Sequence, residues 1–131
     1  MNSNQKGNIA LGQAIAYFTK CGYTISLPLN DSQWYDLIIE KDGLFQTVQV
    51  KYCGQELREN VFKCKLVLTS GTSRKDVYKI KETPVDLLFA SCANGDNYLI
   101  PTEDFENANM VTLSKDPLPR GFNTFKYLLK E

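Results

Sequence analysis

Histidine does not occur anywhere in the 131 residues. Its absence removes the commonest general base, and with it the Ser-His and Cys-His nucleophile pairs, so any chemistry must run on carboxylates, amides, lysine or a bound metal. Zinc loses its usual nitrogen ligand as well. The four cysteines, Cys21, Cys53, Cys64 and Cys92, include no C-x-x-C pair, and reduced, mostly buried thiols are the expected state. No apolar run approaches the roughly eighteen residues of a membrane span. The start Met1-Asn2-Ser3-Asn4-Gln5-Lys6 has no apolar signal region, so a cytoplasmic protein without membrane contact is expected. Net charge is missing too, with 15 basic against 15 acidic side chains.

That zero conceals a segregation along the chain. Residues 51–81 carry eight basic side chains (Lys51, Arg58, Lys63, Lys65, Arg74, Lys75, Lys79, Lys81) against three acidic ones, whereas residues 82–114 carry six acidic side chains and no basic one. A neutral chain of this kind still presents one phosphate-attracting face. With 43% hydrophobic residues, the length suffices for one core and not for two, so a single domain over residues 1–131 is expected.

From Ser3 to Cys21 the apolar residues Ile9, Leu11, Ile15 and Phe18, with Ala14 and Ala16 between them, recur at helical spacing, and Gly22 is placed to end the helix. Gly7 and Gly12 weaken it by about 1 kcal/mol each, which suggests that another element comes close there. Tyr23 to Leu27 reads as a short strand, and Pro28 to Ser32 as a loop.

The centre of the chain is Tyr35 to Glu40, a turn at Lys41-Asp42-Gly43, and Leu44 to Lys51. This is a hairpin with two different faces, because Thr47, Gln49 and Lys51 alternate with Val48 and Val50. Asp36, opening the first strand, lies opposite the far end of the second, so an acid, an amide and an amine converge.

Downstream, residues 53–60 read as a polar connection and Val61 to Leu68 as one strand with Lys63 and Lys65 on one face. Ser70 to Lys75 is a hydroxyl-rich basic loop that suits phosphate contacts or plain solvation. A linker, helical around Arg74 to Lys81, leads to Pro84–Cys92, a nearly continuous apolar run that predicts a buried central strand. A turn at Asn94-Gly95-Asp96 precedes Tyr98-Leu99-Ile100, which Pro101 stops. Thr102 to Phe105 predicts a short helical turn, Met110 to Leu113 a last strand, and Asn123 to Lys130 a weak helix or extended tail. The order predicts a mixed α/β or α+β fold with the first helix on one sheet face.

The Lys6-Gly7 helix start, Gly22-Tyr23, Leu27-Pro28, Tyr35-Asp36-Leu37-Ile38, Gln49-Val50-Lys51 and Tyr98-Leu99-Ile100-Pro101, in that order, resemble the PD-(D/E)XK nuclease superfamily. Within it they are similar to the group I intron homing endonucleases and their small bacterial and phage-like relatives. The resemblance runs from Lys6 to Pro101. On the hairpin alone, Asp36, Gln49 and Lys51 read equally as a strand start and a solvent-facing stripe; the ordered match over most of the chain favours a site.

The resemblance implies a restriction-endonuclease-like core, a mixed central sheet flanked by helices. It also implies a Mg²⁺-dependent endonuclease (Mn²⁺ as the alternative ion) that makes site-specific double-strand breaks in DNA. Asp36 matches the family's metal-binding aspartate, Gln49 stands at the D/E position and Lys51 at the lysine, with the Val50 carbonyl as a further metal ligand. An amide oxygen brings no negative charge, so metal binding should be weaker than with two carboxylates. The family's helix glutamate falls on Leu11; Gln13, the nearest polar residue, is roughly 200° further round the helix. Lys63, Lys65, Ser70, Thr72, Arg74 and Lys75 are the candidate DNA-backbone contacts. One site per chain against two strands to cut implies a homo-oligomer, a dimer or tetramer, for which Phe122, Phe125, Tyr127, Leu128 and Leu129 offer apolar contacts. Two alternatives remain: a nuclease of this fold acting on junctions, in repair or on foreign DNA, and a catalytically weak DNA-binding module.

Overall fold

The computed structural model describes residues 1–30, 32–69, 77–105 and 108–130. Its first element is the helix α1 (Ser3–Lys20), started by a reciprocal cap. The Asn2 side chain accepts the Gln5 N–H at 2.9 Å, and the Gln5 side chain accepts the Asn2 N–H at 3.0 Å, which satisfies two otherwise orphaned donors. Gly22 ends the helix at φ +86°, a conformation that favours glycine. Ala10, Ala14 and Phe18, four residues apart, form its buried face. Gly7 and Gly12 serve no close approach, since a side-chain carbon at either would meet nothing within 4 Å.

Five strands make the main sheet in the order β1-β2-β3-β8-β9: β1 (Thr24–Ser26), β2 (Leu37–Lys41), β3 (Leu44–Cys53), β8 (Leu87–Cys92) and β9 (Asn97–Pro101). The central hairpin forms as the alternation predicts. Leu37 pairs with Val48 and Lys41 with Leu44, and Asp42 and Gly43 turn the chain at φ 54° and 82°. β8 runs parallel to β3, from Val48 beside Leu87 to Cys53 beside Cys92, so the sheet is mixed. Every residue of β8 is buried. Leu87 and Phe89 pack with Ala14, Phe18, Leu37, Ile39 and Val48 under the helix, while Leu88, Ala90 and Cys92 face the opposite layer.

A parallel pair needs a crossover, and here its described residues form short strands and a 3₁₀ turn in place of an α-helix. β4 (Glu56–Arg58), β5 (Val61–Lys65) and β10 (Met110–Ser114) form a second sheet in the order β10-β5-β4. Phe62, Cys64, Val111 and Leu113 from it fill the second core cluster with Leu88, Ala90, Tyr98 and Ile100. The central sheet is thus covered by one α-helix on one face and by strands on the other, among the described residues.

Three local expectations change. The strand expected over Val61 to Leu68 breaks at Leu66, whose N–H turns to the Asn109 carbonyl and whose own carbonyl accepts from Ile80; beyond it β6 (Val67–Thr69) pairs with β7 (Val77–Lys79) as a separate ribbon. The described part of the expected linker helix, residues 77–81, is therefore strand followed by a 3₁₀ turn, Ile80–Glu82. The polar connection contains β4, because the antiparallel neighbour Val61-Phe62 recruits it. The C-terminal segment folds onto its own chain: Phe122 and Tyr127 stack at 5.9 Å, Leu128 bridges to Tyr98, and Leu129 N–H reaches the Asn97 carbonyl. Of the five apolar residues offered there for oligomer contact, only Phe125 is largely exposed.

Candidate active site

β2 accompanies β3 only as far as Val48. Past that point, among the described residues, the backbone of β3 has no paired strand on that side, because β8 lies on the other. Asp36, just before β2, continues the ladder in another way. Its own N–H reaches the Val48 carbonyl at 2.9 Å, and its Oδ2 accepts the Val50 N–H at 2.8 Å. The Val50 carbonyl points to the same free edge as its N–H, as strand geometry requires.

The paired register of the hairpin ends at Leu37 beside Val48, so Asp36 stands just beyond it, while Gln49 and Lys51 share one face of β3. Burial pushes the Asp36 carboxyl above the ordinary carboxylate range, while the Val50 N–H and the Lys51 charge pull it back down. Lys51 is itself held, its Nζ donating to the Val67 carbonyl at 3.2 Å at the base of the β6–β7 ribbon.

A cleft of about 450 Å³ opens along this edge. Gln49, Val50, Lys51, Tyr52, Cys53, Gly54 and Gln55 supply its β3 side, Lys63, Cys64 and Lys65 its β5 side, and Ser3, Lys6 and Gly7 come from the first turns of α1. Asp36 is not in the lining but is bonded to Val50, which is. Among the described residues the lining carries four lysines and no carboxylate. Of the expected DNA contacts, Lys63 and Lys65 face this cleft; Ser70, Thr72, Arg74 and Lys75 lie outside the described residues.

The helix contributes differently from expectation. Leu11 packs in the apolar layer between helix and sheet, and Gln13 accepts a hydrogen bond from Asn97 at 3.1 Å, at another cavity. Lys6, one turn ahead of Ala10 on the packed face, is the charged residue that α1 brings to the cleft. The spacing Lys6, Ala10, Ala14, Phe18 carried that signal in the sequence. Trp34 and Tyr35 are packing residues: both lie against the second core cluster, and Trp34 meets Tyr78 edge-on at 5.1 Å.

Among the described residues no group of three or more His, Cys, Asp or Glu is disposed to hold a metal. Cys53, Cys64 and Cys92 are free and buried. The donors that Asp36, Gln49 and Val50 provide are all oxygen, the chemistry of a hard cation that keeps several of its waters and draws further ligands from a substrate phosphate. In charge and donor type the set fits Mg²⁺ or Mn²⁺ held weakly.

Three comparisons bear on this arrangement. The fold superposes on the structure of a bacterial homing endonuclease, I-Ssp6803I, with a TM-score of 0.71 and 20% identity, covering 97% of this chain and 86% of that one. Protein 5.3 of Escherichia phage T7 is 35% identical over 77 residues, which are 58% of this chain and 64% of that protein, less than two thirds of its length. The family model described as PD-(D/E)XK endonuclease matches residues 1–121, so the chain belongs to the PD-(D/E)XK endonuclease family.

Proposed function

We propose that the protein is a metal-dependent endonuclease that hydrolyses phosphodiester bonds in double-stranded DNA at a defined site, as a homing endonuclease does. The observation that carries the reading is the free edge of β3, where Asp36, Gln49, Val50 and Lys51 stand together beside a lysine-lined cleft. Asp36, the Val50 carbonyl and the Gln49 amide oxygen are the residues that would hold Mg²⁺ or Mn²⁺. When bound, such a cation supplies Lewis-acid stabilisation of phosphoryl charge and lowers the pKa of water.

The chain's own residues do the rest. Lys51, fixed by the Val67 carbonyl, keeps its other ammonium protons for the developing charge on the phosphate or for orienting the attacking water. Lys63 and Lys65 hold the backbone that flanks the scissile bond. Ser70, Thr72, Arg74 and Lys75 extend that contact in the reading from sequence. A double-strand break by a chain with one site calls for two copies, so the active form is a homo-oligomer.

A second reading, a DNA-binding module with weak cleavage, is favoured by one observation: among its described residues the helix brings Lys6, and no carboxylate, to the cleft. Plasmid incubated with Mg²⁺ separates the two. Wild-type protein should nick and linearise it, and Lys51→Ala should slow the reaction by about 10²-fold or more. Identical behaviour of both proteins would end the nuclease reading. Light scattering at the concentration used for cleavage should give more than one chain per particle.

A further inference from the structure

The lining of the cleft is unusual for a site that handles a polyanion with a cation's help, because it already supplies the positive charge. Lys6, Lys51, Lys63 and Lys65 converge there from α1, β3 and β5, with no carboxylate among the described lining residues of a chain whose net charge is zero. The nearby Asp36 carboxylate is engaged by the Val50 N–H. Sites with several carboxylates repel a phosphate until a cation neutralises them, and the described lining of this one raises no such barrier.

Lys6 is the member of the set that nothing in the reading of the reaction has used. It is half-buried on the packed face of α1, and its Nζ lies 5.9 Å from the centroid of the Tyr52 ring, within range of a cation–π attraction. That ring is itself confined. A side-chain carbon at Gly54 would come within 3.0 Å of Tyr52 Cε1, so the ring occupies the space that glycine leaves open. Gly54, Tyr52 and Lys6 thus lie against one another in the cleft lining, which the lysines of β5 share.

We infer that this cleft is a metal-independent seat for the phosphodiester backbone of duplex DNA, in which Lys6 is a phosphate ligand positioned by Tyr52 and Gly54. The inference rests on the nuclease reading for the identity of the polymer, and adds that binding precedes and does not require the divalent cation.

The test is binding of a short DNA duplex by fluorescence anisotropy in EDTA, over a range of salt concentrations. Wild type should bind, with affinity falling steeply as salt rises. Lys6→Ala should weaken binding about five- to tenfold at low salt, alike for duplexes of unrelated sequence, and make the log–log salt slope shallower by about 0.9. Lys6→Arg should restore most of the loss. Gly54→Val, which displaces the Tyr52 ring without touching a charge, should weaken binding in the same direction, with the fold checked by circular dichroism. Lys6→Ala with unchanged affinity and slope overturns the inference, and so does a wild type that binds only when Mg²⁺ is present. A wild type that binds in EDTA through Lys6 yet leaves DNA uncut when Mg²⁺ or Mn²⁺ is supplied bears out the inference and overturns the nuclease reading alone.

Discussion

Asp36 Oδ2 accepts the Val50 N–H at 2.8 Å, at the point where β3 has lost its antiparallel neighbour. One carboxylate therefore stands in for a strand and, in the proposed reaction, would also bind the metal. The two duties separate by substitution. Asp36→Ala leaves the Val50 N–H without its acceptor and should lower stability by about 1–2 kcal/mol. Asp36→Asn keeps an acceptor oxygen and should stay within about 0.5 kcal/mol of wild type, while both variants lose cleavage. Urea denaturation beside a plasmid assay reads the two effects, and an equal stability loss in both variants would refute the structural duty.

Gln49 tests the weakness ascribed to the metal set. Gln49→Glu adds one charge beside Asp36, and at an effective dielectric near 20 a single added charge is ample for about a tenfold fall in the Mg²⁺ concentration that half-activates cleavage. The same charge opposes the phosphate, so DNA binding in EDTA should weaken. A Mg²⁺ titration that does not move would remove Gln49 from the metal's neighbourhood.

The three clustered thiols should be inert. A hydrogen bond with Cys64 pulls the Cys53 thiol down, but the hydrogen bond with Cys92, burial and the Cys92 charge outweigh it and push the thiol up to about 12. The hydrogen bond with Cys53, then burial, drives Cys64 up as well. Iodoacetamide at mildly alkaline pH should modify the half-exposed Cys21 first and reach Cys53, Cys64 and Cys92 only on unfolding, as mass spectrometry would show. An unfolded chain ionises the Cys53 thiol near 9.0 whereas the folded one keeps its proton, so this contribution to stability is present at neutral pH and is lost between about 9 and about 12.

How much of this was legible follows from where the information resides. The hairpin was readable because alternation and the Asp42-Gly43 turn are local, and β8 because an unbroken apolar run signals burial on both faces. β4 was not: Glu56, Leu57 and Arg58 are all exposed, and only pairing with Val61-Phe62 makes them a strand. The break at Leu66 depends on Asn109 and Ile80, which are distant in sequence. At the candidate site, the shared face of Gln49 and Lys51 follows from strand alternation and the nearness of Asp36 from the hairpin, whereas Lys6 required knowing which face of α1 meets the sheet and how far along β3 it lies. Contacts between elements, rather than patterns within them, held what was missed.

Thr124 belongs to that second kind, an inconspicuous residue in a segment that sequence reads as a weak helix or tail. It is 1% exposed, and its Oγ1 accepts the Ser114 N–H at 3.0 Å while donating to the Thr112 carbonyl at 3.0 Å. The C-terminal segment is thereby fastened to the end of β10, whose Leu113 lies in the core. Thr124→Val preserves shape but strips both partners at a buried position, so it should destabilise the fold by about 1–3 kcal/mol. Thr124→Ser, which retains the hydroxyl, should lose less than half as much. Urea midpoints for the two variants decide the matter, and a valine variant as stable as wild type would mean that the segment is held by Phe122, Tyr127 and Leu128 alone.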